Sequence, residues 1–180
     1  MKTEINKALA TLKQGGIILY PSDTIWGIGC DATNTDAVAK IFKLKKRTDN
    51  KALISLVASK EQLKSITETI PDLDITSSPT TVVYPNIKGL NQMLLSENGS
   101  AAIRIVQDKF CQKLILSFGK AIVSTSANIS GEIAPKQFSE ISKEIKNNVD
   151  YIVNLRQNEL MSTPSSILMI NEDTSITKIR

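Results

Sequence analysis

Apolar positions in this chain alternate between a helical period and short continuous runs. Ile5, Ala8, Leu9 and Leu12 recur at helical spacing, and Gly15 with Gly16 ends that helix and turns the chain into the apolar run Ile17 to Tyr20. A second short strand is predicted from Trp26 to Ala32, with Gly27 and Gly29 inside it, where glycine marks a bulge or a close approach. Asn34, Thr35 and Asp36 then offer cap oxygens to a helix carrying Val38, Ile41, Phe42 and Lys45 on one face.

Further strands are read at Ala52 to Ala58, Thr80 to Tyr84, Ser100 to Val106, Ile122 onward, Tyr151 to Val153, Ser166 to Ile170 and Ser175 to Ile179. Ser59 and Gln62 form a capping box for a helix through Leu63, Ile66 and Ile70, ending at Pro71. Asp72 to Pro79 reads as a surface loop. Asp108 caps a helix with Cys111, Leu114, Ile115 and Phe118 inward and Gly119 as its stop, and Phe138, Ile141 and Ile145 mark one more helix. Helices interleave with strands, and several strand pairs have no helix between them. The pattern therefore predicts an α/β protein whose sheet is mixed and not purely parallel.

At 180 residues the chain suits one domain, 1–180, with a sizeable core. A hydrophobic content of 41% and a charged content of 22% are ordinary for a soluble protein, and no apolar run reaches the roughly 20 residues of a membrane helix. The N-terminus lacks the pattern of a signal peptide, so no membrane association and a cytoplasmic location are expected. Cys30 and Cys111 form no CxxC pair and read as small buried side chains. The net charge of +4 permits an anionic substrate or RNA without requiring either.

Histidine is absent. That removes Ser-His-Asp and Cys-His mechanisms, H-E-x-x-H metal sites and imidazole acid-base work. Neither GxxxxGK[ST] nor GxGxxG occurs, so a nucleotide would have to be held outside the P-loop and Rossmann arrangements.

Two strand tips concentrate polar groups. Pro21 is followed at once by Ser22, Asp23 and Thr24, and the strand from Ile122 runs into Ser124, Thr125, Ser126, Ala127 and Asn128. Turn chemistry alone accounts for such residues in many proteins. Arg104 sits opposite Ile103 and Ile105 in its strand, which fits either a solvated edge or an inward functional charge. Lys45, Lys46 and Arg47 cluster in a last helical turn, where cations favour the helix dipole and ordinarily face water.

The segments PSDTIWGIGCDA, LKKR and NKALI, followed by AAIRIV (101–106), STSANISG (124–131) and PSSIL (164–168), resemble the YrdC/TsaC family of threonylcarbamoyl-AMP synthases, which act in forming N6-threonylcarbamoyladenosine in tRNA. The resemblance covers nearly the whole chain and implies a single YrdC-like domain of the short bacterial type, with a twisted mixed sheet, flanking helices and a concave ligand cleft. It implies that ATP, L-threonine and bicarbonate are condensed to threonylcarbamoyl-AMP and pyrophosphate, with Mg²⁺ accompanying ATP, no organic cofactor and no direct protein ligand to the metal.

Residue by residue, the resemblance assigns Lys45, Arg47, Ser126 and Asn128 to catalysis and ATP binding, with Arg180 also reaching the nucleotide. Ser22, Arg104, Ser124 and Ser165 match the threonine pocket, Arg104 pairing with the substrate carboxylate. The implied partner is a threonylcarbamoyl-transfer complex, with direct tRNA contact left open. Ser22 stands where threonine is common in the family, which bears on selectivity between threonine and serine. Two alternatives stay open on the residues alone: a paralogue that binds nucleotide or transfers carbamoyl groups elsewhere, and a non-catalytic RNA-binding or ribosome-maturation factor.

Overall fold

The computed structural model describes residues 1–46 and 53–180. The expectations for Arg47 and for a strand beginning at Ala52 fall on residues outside the described ones.

Nine strands, counted among the described residues, pair into one mixed sheet. They are β1 (Ile18–Pro21), β2 (Trp26–Gly29), β3 (Ile54–Val57), β4 (Thr80–Tyr84), β5 (Ala101–Ile105), β6 (Ile122–Ser126), β7 (Tyr151–Ile152), β8 (Ser166–Ile170) and β9 (Ile176–Lys178), in the order β7-β1-β2-β6-β3-β5-β4-β8-β9. Parallel pairs (β1 with β7, β3 with β5, β4 with β8) are mixed with antiparallel ones, as the uneven spacing of helices along the chain predicts.

Side-chain alternation sorts these strands onto two cores. Leu19, Val57, Ile103, Ile105 and Val123 point to a face covered by α2 (Thr35–Leu44), α3 (Lys60–Lys64) and α5 (Lys143–Asn147), where Val38, Ile41, Leu63 and Ile145 join the cluster. Ile18, Tyr20, Leu56 and Ile122 point to the other face, covered by α1 (Lys2–Lys13) and α4 (Lys109–Phe118). Phe110, Leu114 and Ile115 hold α4 there, each burial worth roughly 1.5–3 kcal/mol.

Local signals explain the helix ends. Asn34 Oδ1 accepts from Ala37 N–H at 3.0 Å, Asp108 Oδ1 accepts from Cys111 N–H at 2.8 Å, and Gly119 closes α4 at φ +76°.

Two helices are shorter than their apolar spacing predicts. α3 stops at Lys64, because the following Ile66, Thr67, Thr69 and Ile70 are β-branched and the Ile66 carbonyl accepts from Lys88 N–H at 2.9 Å instead of from a helical neighbour. The Gln62 side chain bonds Ala58 N–H at 2.7 Å, one residue before the position of a capping box. The helix expected across Phe138 to Ile145 is a 3-10 turn (Phe138–Glu140) and the short α5, separated at Ile141, whose backbone is extended, and at Ser142, whose hydroxyl caps α5 through Ile145 N–H.

Candidate functional site

Direct cross-strand partners share a face, and the register places Ser124 opposite Ile54, Ser126 opposite Gly27, and Arg104 between Leu56 and Thr81. All of these lie on the α1/α4 face. Where those helices leave it uncovered, a cavity of about 60 Å³ opens, lined by Ser22, Thr24, Gly27, Ile54, Arg104, Ser124, Ser126, Ser165 and Arg180 among others. At roughly 15 Å³ per water this is room for about four waters, too small for a nucleotide. Ser22, Arg104, Ser124, Ser126, Ser165 and Arg180 thus meet around one space, although they come from five separate stretches of chain.

Arg104 forms the charged wall. β5 is an interior strand, so the solvated-edge reading of this arginine is overturned: it is 4% exposed, and its Nη2 lies 3.0 Å from Asp23 Oδ1. Asp23 Oδ2 in turn accepts from Gln107 N–H at 3.0 Å. Among the described residues Arg104 Nε makes no hydrogen bond and Asp23 Oδ1 meets the arginine outside hydrogen-bonding geometry, so this buried pair is matched in charge and incomplete in its hydrogen bonds.

The hydroxyls differ in what they have left to offer. Ser22 donates to the Ile25 carbonyl at 2.8 Å, accepts from Thr24 N–H at 3.2 Å and lies 3.0 Å from Thr24 Oγ1. Its one proton and both lone pairs are consumed by the turn, and Thr24 is the residue that turn presents to the cavity. Ser165 Oγ is 2.8 Å from Thr81 Oγ1, and Arg180 Nε and Nη2 donate to the Ser165 carbonyl at 3.2 and 3.0 Å. Ser124 accepts from the Tyr20 phenol at 2.8 Å.

The Tyr20 ring reaches β6 by crossing β2 at its glycines. A Cβ on Gly29 would stand 2.5 Å from the Val123 carbonyl and 2.9 Å from the Tyr20 ring, and one on Gly27 would stand 3.2 Å from Ser124 Oγ.

Lys45 and Asn128 sit beside the cavity, outside its lining. Lys45 ends α2, is 3% exposed, and its Nζ donates to the carbonyls of Ser126 at 2.7 Å and Asn128 at 2.6 Å. The lysine therefore reaches the end of β6, and Ser130 N–H returns a bond to the Lys45 carbonyl at 3.0 Å. Asn128 Nδ2 is turned to the carbonyls of Ile129 and Glu132, and its buried Oδ1 makes no hydrogen bond among the described residues. Lys46, with φ +51°, points to the surface and pairs with Glu144 at 2.8 Å.

Four contributors escaped the reading of site residues from sequence. Asp23 and Thr24 stand with Ser22 among the polar groups of the first strand tip but carry no assigned role, and Tyr20 reads as the end of an apolar run. The fourth, Arg156, donates through Nη1 to the Ser22 carbonyl at 3.0 Å and to Asp108 Oδ2 at 2.8 Å, tying the Ser22 turn to the start of α4 from 134 residues away. No local signal marks it.

Burial pushes the Cys30 thiol up to about 12 and Cys111 well above its ordinary value, the carboxylates of Asp31 and Asp108 adding in the same direction. Both thiols stay protonated and unreactive at neutral pH. Among the described residues no group of three or more Cys, Asp or Glu side chains converges to hold a metal, and no helix is long and apolar enough to cross a membrane.

A mixed sheet with helices on both faces, hydroxyl-bearing strand tips and a buried arginine in the cleft define the class: an α/β protein with a small polar pocket on one face of its sheet. A sequence model of the Sua5/YciO/YrdC family, described as telomere recombination, matches residues 10–180, and the chain belongs to that family. Among its relatives, the threonylcarbamoyl-AMP synthase of Psychromonas ingrahamii is 34% identical over 155 residues, covering 82% of this chain and 81% of the relative. Among solved structures, P. abyssi Sua5 superposes with a TM-score of 0.86 in a variant form and 0.84 in its complex with L-threonine, at 24% identity over 98% of this chain. That likeness bears on the fold alone. The chain spans about half the length of P. abyssi Sua5, 52% and 53% in the two structures.

Proposed function

We propose that the protein is a threonylcarbamoyl-AMP synthase, a nucleotidyltransferase that condenses L-threonine, bicarbonate and ATP to threonylcarbamoyl-AMP and pyrophosphate for tRNA modification. The observation that carries this reading is the pocket itself: one buried guanidinium and several hydroxyls around one small space, in a chain 34% identical to a synthase of that name.

In this reading Arg104 takes the threonine carboxylate, a geometry guanidinium favours, with Ser124 donating to the same group. Thr24 and Ser165 supply further hydroxyls, and Ser22 acts by shaping the turn that holds Thr24. The amine, lying toward the cleft mouth, combines with bicarbonate to give a carbamate and water. A carbamate oxygen then attacks the α-phosphorus of ATP, the bond to the bridging oxygen breaks, and pyrophosphate leaves.

The triphosphate is assigned to the rim beyond the pocket, among Lys45, Ser126, Asn128 and Arg180. Arg47 joins this set on the resemblance alone. Fixed cations there stabilise the charge that develops on the departing pyrophosphate, and holding both substrates in one cleft makes the attack effectively unimolecular. No step needs imidazole.

Hydroxyls and backbone carbonyls without converging carboxylates fit a Mg²⁺ ion carried on the triphosphate with its own water shell, better than one caged by protein ligands. When bound, the ion would neutralise phosphate charge.

Residues 1–180 are proposed to act as one domain, in the cytoplasm, passing the unstable adenylate to a threonylcarbamoyl-transfer complex and contacting tRNA at most in transit. The test is incubation with ATP, Mg²⁺, bicarbonate and each of threonine, serine and glycine, following pyrophosphate and adenylate together. Threonine-dependent formation of both supports the assignment. Pyrophosphate release indifferent to the amino acid, or RNA binding without turnover, overturns it.

A further inference from the structure

Tyr20 has no place in the reaction outlined above, yet it is fully buried and bonds a residue of the pocket lining. Its hydroxyl donates to Ser124 Oγ at 2.8 Å, its ring lies over Gly27 and Gly29, and Ser124 lines the pocket across from Arg104. A serine hydroxyl has one proton and two lone pairs. With one lone pair filled by the phenol, the Ser124 proton is left to point elsewhere, and Ser124 makes no other hydrogen bond among the described residues.

We propose that Tyr20 is a positioning residue that makes Ser124 a directed hydrogen-bond donor toward the carboxylate of the bound amino acid. This rests on the reading of the pocket as the threonine site.

Three features of the fold support it. Burial raises the phenol's pKa, so Tyr20 keeps its proton at neutral pH and is available as a donor. Donation into Ser124 Oγ polarises its O–H and strengthens the next hydrogen bond in the chain, an effect that grows in a dry, low-dielectric setting. Gly27 and Gly29 keep β2 clear of side chains along the line from Tyr20 to β6, so the ring has one way to lie.

The experiment is a double-mutant cycle on the full chain, Tyr20→Phe, Ser124→Ala and the double variant, with L-threonine binding measured by calorimetry without ATP and thermal unfolding measured in parallel. Tyr20→Phe is expected to weaken threonine binding about fivefold, and Ser124→Ala about tenfold, the scale of one charge-assisted hydrogen bond. The double variant should bind no worse than Ser124→Ala and should melt higher than it, because Ser124→Ala leaves the phenol buried without a partner.

Additive losses in the double variant would show that Tyr20 acts on the pocket by another route and would overturn the proposal. So would unchanged threonine binding in Tyr20→Phe. A wild-type protein that binds no threonine removes the functional reading, and this inference with it; additive losses in a wild-type background that binds threonine remove this inference alone.

Discussion

The two walls of the pocket are built differently. The wall formed by β1, β2 and β6 is buried along almost its whole length, its strands clasp one another through two glycines, and its polar groups are tied by the Tyr20 bond and the Lys45 carbonyl clamp. Opposite it, Ser165 and Arg180 flank β8 and β9, where β8 is mostly half-buried and β9 is exposed throughout at the free edge of the sheet. β9 contributes no buried side chain, so local opening costs less at that edge than at the other wall. The contrast teaches where the pocket keeps its geometry and where it can admit a ligand.

The sharpest way to break this comparison is at the pivot between the walls. Arg104→Met would leave Asp23 buried without a counter-charge, and a loss of about 3–5 kcal/mol is expected by denaturant unfolding, with threonine-dependent pyrophosphate release abolished. A stable, active Arg104→Met protein would remove the arginine from both roles.

Next in size is Gly29→Ala in the rigid wall. The new methyl meets the Val123 carbonyl and the Tyr20 ring, and destabilisation of about 1–3 kcal/mol should appear in the same measurement. Arg180→Gln on the soft wall should behave in the opposite way: stability within about 0.5 kcal/mol of wild type, but KM raised several-fold in steady-state assays.

The smallest effect concerns α1. Glu4 accepts from the Tyr151 hydroxyl at 2.6 Å and from Asn154 N–H at 2.7 Å, and the Tyr151 bond is the main cause holding its carboxyl below the ordinary value of 4.5. A lowered folded pKa stabilises fully above the unfolded value and is lost as pH falls through the folded one. The thermal midpoint of the wild type should therefore fall below pH 4.5 slightly more steeply than that of Glu4→Gln, and parallel curves would dismiss the contribution.

Strands and the long helices were legible because their signals are local: the alternation of Ile103, Arg104 and Ile105 in β5, the Asn34 and Asp108 caps, the Gly119 stop. Helix lengths after Ser59 and around Phe138 were not, since apolar spacing persists there while β-branched residues and a mid-segment serine cap end the helix. The motif residues Ser22, Arg104, Ser124 and Ser165 could be named from the chain, whereas the hydrogen bonds that decide their uses could not. Whether Ser22 offers a proton depends on the Ile25 carbonyl, and whether Ser124 does depends on a phenol 104 residues away. Such accounting needs coordinates, because a hydroxyl's partners are spatial and leave no period in the sequence.

Tyr20, Gly27 and Gly29 occupy one shared volume, so none of the three can grow unless another shrinks. Anyone wishing to fit a bulkier amino acid should leave that trio alone and trim Ile54, which lines the same pocket from β3 and is only partly buried against the α1/α4 core. Shortening it to alanine would widen the floor without disturbing the crossing of the tyrosine, turning substrate choice into a property of one side chain.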